Sequence, residues 1–206
     1  MELQDALTQI AEIRQQMART AIFRGYRALP VAVSGMLALT AGMCQQLFLS
    51  DPAEVLPLYL CLWVGAAALS ELAAGTQMVV RCRRSASSWT RDTTWLAIEQ
   101  FLPSIVAGFL LTMVIVCSAR ESAWLLPGLW QLLFALGIFA SSRLLPRATF
   151  GVGVFYLAAG VLTLSLARGD AALSPWAMAV PFGLGQFLAA GVLYWTLERN
   201  DDEPQD

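Results

Sequence analysis

The stretch Pro57 to Val79, PLYLCLWVGAAALSELAAGTQMV, carries a single charged residue, Glu71. A helix that crosses a bilayer needs roughly 20 predominantly apolar residues, and within lipid only helices and closed barrels satisfy every backbone polar group. This stretch meets the length. Working outward, the same pattern recurs at Pro30 to Leu49, Thr94 to Val116, Trp124 to Ser142, Ala148 to Ala167 and Pro175 to Trp195. Little sequence is left between these runs. They predict an all-α integral membrane protein with six transmembrane helices. Its parts are an N-terminal segment over 1–28, a bundle over 29–197 and a tail over 198–206.

Composition agrees with a chain solvated by lipid. Hydrophobic residues make up 57% and charged residues 14%, against about half and about a quarter in soluble domains. Mean hydropathy is +0.60. All 13 basic residues are Arg, with no Lys and no His. Schiff-base lysine chemistry, histidine general bases and histidine metal cages are therefore excluded. A formal net charge of −2 gives no footing for nucleic acid. No catalytic residue, metal site or cofactor motif emerges, so the chain reads as a non-enzyme.

The Arg residues are one-sided. Arg14, Arg19, Arg24 and Arg27 precede the first span, and Arg81, Arg83, Arg84 and Arg91 fill the second loop. Arg143 and Arg147 lie in the fourth loop, and Arg199 follows the last span. The alternate loops hold only Arg120 and Arg168, beside Asp51, Glu54, Glu121 and Asp170. The positive-inside rule places both termini in the cytoplasm, and a bacterial inner membrane is the expected home. Tyr59, Trp63, Trp124 and Trp176 are expected at the outer interface, with Tyr26, Trp89, Trp95, Tyr194 and Trp195 at the inner one. Nearly thirty mostly polar residues before the first span argue against a cleavable signal peptide.

Within 1–28, Leu3, Ala6, Leu7, Ile10, Ile13, Met17 and Ala21 share one face at helical spacing. Gln4, Asp5, Glu12, Gln15, Gln16 and Arg19 take the other, and Arg14 interrupts the apolar stripe. The segment predicts a cytoplasmic amphipathic helix. It would lie on anionic lipid through Arg14, Arg19 and Arg24, or pair with another helix. Arg81, Arg83 and Arg84 form a second surface for lipid headgroups or a partner. The acidic tail is expected to be disordered.

An internal repeat organises the spans. Leu29-Pro30, Leu102-Pro103 and Leu145-Pro146 are each followed by Gly after four residues, at Gly35, Gly108 and Gly151. An offset of 116 also aligns Arg27 with Arg143, and Leu72 to Gly75 with Leu188 to Gly191. This suggests three helical hairpins in a parallel pseudo-repeat, although Pro and Gly are common in any such span. Small-residue faces such as Gly65 to Ala68 and Ala189 to Gly191 predict close helix contacts.

Glu71 is the leading candidate for function, about 5 Å from the centre of its span at 1.5 Å per residue. A carboxylate there costs a few kcal/mol to insert and marks a functional site by default. Glu99 lies about 9 Å from the centre of its own span on the same rise, with Arg27, Arg143 and Arg147 as natural partners. Thr40, Gln131 and Gln186 sit at comparable depth. They could line a polar cavity with Glu71, or act as separate hydrogen-bonding pairs between helices. Cys44, Cys61 and Cys117 fall in outer halves without metal-ligand spacing, and a Cys44–Cys61 disulfide is compatible in depth. Cys82, among arginines, is the most activated thiol.

The expected function is a non-enzymatic membrane module: a subunit, assembly factor or sensor that binds lipids and a protein partner or a second copy. The alternative is a small proton- or cation-coupled transporter or channel using Glu71.

Overall fold

The computed structural model describes residues 28–84, 88–142 and 144–199, with backbone alone for 78–79, 81–84, 88–95, 97–98 and 197–198. The amphipathic segment with Arg14, Arg19 and Arg24, the acidic tail beyond Arg199, and the side chains of Arg81, Cys82, Arg83 and Arg84 lie outside the described residues. Among those described, every regular element is helical. They are α1 (Ala28–Phe48), α2 (Leu56–Arg84), α3 (Ser88–Ser118), α4 (Leu126–Ser141), α5 (Thr149–Leu166) and α6 (Pro175–Leu193). Short 3-10 turns cover Arg120–Leu125 and Gly169–Ala171, and a π-helical turn covers Tyr194–Glu198. Six segments are long and apolar enough to cross a membrane, which marks a multi-pass membrane protein.

The breaks follow from local chemistry. Pro57, Pro127 and Pro175 occupy the first or second position of α2, α4 and α6, where a missing N–H has no cost. The three Leu-Pro motifs take different settings. Pro30 lies in the first turn of α1, Pro103 inside α3, and Pro146 in the turn before α5. α2 has 29 residues and α3 has 31. At 1.5 Å per residue each exceeds 40 Å, beyond a hydrocarbon core of about 30 Å.

Neighbours in space run in the order α2, α1, α6, α5, α4, α3. The closest pairings are α1 with α6 and α4 with α5. Both are glycine contacts. A Cβ on Gly160 would lie 2.9 Å from the carbonyl oxygen of Gly128, and one on Gly35 would lie 3.2 Å from the carbonyl oxygen of Gly183. Such bare backbones let helices approach through dispersion, which drives association in lipid. Among the described residues α2 and α3 make few contacts, although only three residues separate the two helices in sequence.

Two buried clusters explain the gap. One, towards the face bearing Asp51 and Asp170, joins Tyr59 and Trp63 of α2, Ile115 of α3, Leu126 of α4 and Met178 of α6. The other joins Ala135, Ile138, Val152 and Tyr156 with Phe101, Phe134 and Phe182, and takes nothing from α2. Its rings meet edge to face, Phe134 lying 4.8 Å from Tyr156 and 5.4 Å from Phe101. Among the described residues, α2 therefore contributes nothing to either cluster beyond Ala66. Tyr59 and Trp63 are 0% and 4% exposed, which corrects their expected place in an interfacial belt. Trp176 and Trp195 do lie exposed, with the Arg199 guanidinium 4.7 Å from the centre of the Trp195 ring.

Candidate functional site

The polar groups of the bundle fall into two kinds: those consumed by packing and those left bare. Gln131 belongs to the first. Pro181 inside α6 has no N–H, so the carbonyl of Ala177, four residues earlier, lacks its helical donor. Gln131 Nε2 on α4 donates to that carbonyl at 2.8 Å, and Thr163 Oγ1 on α5 donates to Gln131 Oε1 at 3.2 Å. One buried amide thus ties three helices and repairs a proline defect.

A second amide does the same nearer the Asp51 face. Gln45 is 0% exposed. Its Nε2 donates to the Leu173 carbonyl at 2.7 Å, and Trp63 Nε1 donates to its Oε1 at 2.7 Å. This joins α1 and α2 to the segment that leads into α6. The sequence reading passed over Gln45, because polar residues at the end of a span are ordinary. The available signal was azimuthal: Ala38, Ala41, Gly42 and Gln45 form one helical face of small residues ending in an amide.

The remaining candidates do not join these networks. Thr40 is exposed, and its hydroxyl donates to the Met36 carbonyl of its own helix at 2.8 Å. Gln186 is half-buried, with its Cβ beside Gly35 at the α1–α6 contact. Glu71 and Glu99 are both exposed on their helices, and among the described residues neither has a hydrogen-bond or ion-pair partner. Arg147, one of the partners expected for Glu99, is also exposed and forms no such pair. Glu71 and Gln131 belong to different parts of the molecule, one bare and one buried.

Around Glu71 the surface is small and open. A Cβ on Gly65 or Gly75 would meet nothing within 4 Å. Leu69 and Leu72 are 57% and 63% exposed. Ser70 spends its hydroxyl on the Ala66 carbonyl at 2.9 Å. On the 1.5 Å rise, Glu71 lies about 22 Å along α2 from Leu56, inside a hydrocarbon core of about 30 Å. Cys44 is half-buried, Cys61 and Cys117 are exposed, and all three are free thiols. A cleft of about 310 Å³ opens at the other end of α1, lined by Gln46, Asp51, Asp170 and Ser174 among others. Asp51 there accepts from the backbone N–H groups of Ala53 and Glu54, a local turn. The exposed part of α2 carries a mid-span carboxylate, Glu71, with no partner among the described residues. No family model matches this chain, and neither a curated protein nor a solved structure matches it significantly.

Proposed function

We propose that this protein is a non-enzymatic multi-pass membrane module, a subunit, assembly factor or sensor whose work is to bind other membrane components. The observation that carries the reading is the stretch of α2 from Ala67 to Gln77, which joins neither core cluster and presents Glu71 without a partner among the described residues. An ionised carboxylate facing lipid is costly, and such residues pair or line a path when they persist. The sequence sets Arg81, Arg83 and Arg84 at the end of α2, a composition suited to anionic headgroups. Both termini face the cytoplasm of a bacterial inner membrane in this reading, and the six helices descend from three hairpins, one of whose junctions has been left for a partner.

Purification from the native membrane in mild detergent, with mass spectrometry of the eluate, tests it. A partner in stoichiometric amount is the expected result. A chain that elutes alone would count against the module and favour the alternative, a coupled transporter with Glu71 as the ion-binding carboxylate and Glu99 near its cytoplasmic mouth. That alternative predicts ion-coupled flux in liposomes that Glu71→Gln abolishes. The module predicts no flux from either form.

A further inference from the structure

Among the described helices, α1–α6 and α4–α5 are closed by glycines set against the neighbouring backbone. α2 carries glycines in the same style, Gly65 and Gly75, but they face open space. α3 forms the other wall, and Glu99 stands about 28 Å along it from Ser118 on the 1.5 Å rise, about 6 Å further from that end than Glu71 is from Leu56. The spanning parts of both walls, Leu56–Gln77 and Glu99–Ser118, contain these two carboxylates and no basic residue. A binding face that is acidic within lipid calls for an occupant of opposite charge.

That requirement discriminates between occupants. The spans of a second copy do not meet it. Across its six spans the only basic residue is Arg120, at the first position of Arg120–Ser141 and at the end of the bundle remote from Glu71. Two copies face to face would set carboxylate against carboxylate. Lipid alone offers cationic headgroups only at the surface, not at the depth of Glu71. We infer that the opening between α2 and α3 receives a transmembrane helix of a different protein, one that carries an arginine or lysine within the bilayer to pair with Glu71. The inference rests on the module reading above and names the partner's chemistry. Small residues on α2 admit the incoming backbone closely, as at the closed junctions, and the desolvated charge pair supplies specificity.

The test uses the full chain in phosphatidylcholine vesicles, which carry no net charge. It measures energy transfer to synthetic Leu/Ala transmembrane peptides with Arg, Leu or Glu at the matching depth. The Arg peptide should associate at least tenfold more tightly than the Leu peptide, and the Glu peptide no better than Leu. Glu71→Gln should reduce the Arg preference to less than twofold. Gly75→Ile should weaken the Arg and Leu peptides alike, with helix content by circular dichroism unchanged in both variants. Equal association of all three peptides would overturn the inference, and so would an Arg preference that survives Glu71→Gln. Energy transfer between labelled copies of the chain that exceeds transfer to the Arg peptide would overturn it too, by making the face a self-interface. So would an Arg preference that appears only after residues 1–27 are removed, because the chain's own arginines would then hold the site. Parallel purification of wild type and Glu71→Gln from the native membrane separates this failure from that of the module. A stoichiometric partner kept equally by both leaves the module standing and removes the charge pairing, whereas no partner with either removes both.

Discussion

Replacing Gly160 with Leu should destabilise the bundle by about 3 kcal/mol, at the top of the usual range for overpacking. The reason is the α4–α5 crossing. A Cβ at Gly160 would sit 2.9 Å from the carbonyl oxygen of Gly128 and 2.9 Å from Leu132, and one at Gly128 would sit 3.0 Å from the carbonyl oxygen of Gly160. Leu132 can change rotamer, but the Gly128 carbonyl belongs to a helix and moves only if the whole helix moves. Separating α4 from α5 also pulls Thr163 from Gln131 and strains the ring cluster below. Gly151 on the same helix provides the control, because a Cβ there meets nothing within 4 Å. Gly151→Leu should change stability by less than about 0.5 kcal/mol, as for other exposed positions. Reversible unfolding in mixed micelles, followed by tryptophan fluorescence, measures both. Equal losses for the two variants would show that the close α4–α5 crossing does not set the cost.

The second large effect is expected at Gln45. In Gln45→Leu the volume is kept but the Trp63 N–H and the Leu173 carbonyl are both stranded in a dry interior. Each buried unsatisfied group costs about 1–3 kcal/mol, so a loss of about 3 kcal/mol is expected in the same assay. Removing the second partner should return part of it. Gln45→Leu with Trp63→Phe leaves only the Leu173 carbonyl unmet, and the double variant should be less unstable than the two single losses combined. A double-mutant cycle reads that coupling directly. Strict additivity would mean that the indole bond contributes nothing.

Both predictions rest on features that differ in how far they could be read before the fold. The spans were legible because twenty apolar residues in a row have no other soluble or irregular use, and the structure places α1 and α5 within two residues of the expected ends. Position along each helix was legible too, since it follows from a fixed rise. Azimuth was not. Tyr59 and Trp63 have the depth of an interfacial belt and the direction of a core, because they repeat at i and i+4 with Leu56 on the face turned to Ile115 and Leu126. Gln45 was missed and Gln131 found on the same basis: depth flags an amide at mid-span and ignores one near the end. Pro181 shows what partner geometry adds. The freed Ala177 carbonyl was implicit in the sequence, but nothing local to α6 names α4 as the helix that answers it. The unequal junctions were out of reach for the same reason. Gly65 and Gly75 look like Gly128 and Gly160 in a sequence, and only packing tells an occupied glycine from a bare one.

The bare half of α2 as a partner-binding face is the centre of this account, and photo-crosslinking in native membranes tests it most directly. A photoreactive residue at Leu72, 63% exposed on α2, is compared with one at Leu162, 56% exposed on α5. A discrete protein adduct is expected from position 72, and lipid adducts alone from position 162. Lipid adducts alone from both positions would contradict it.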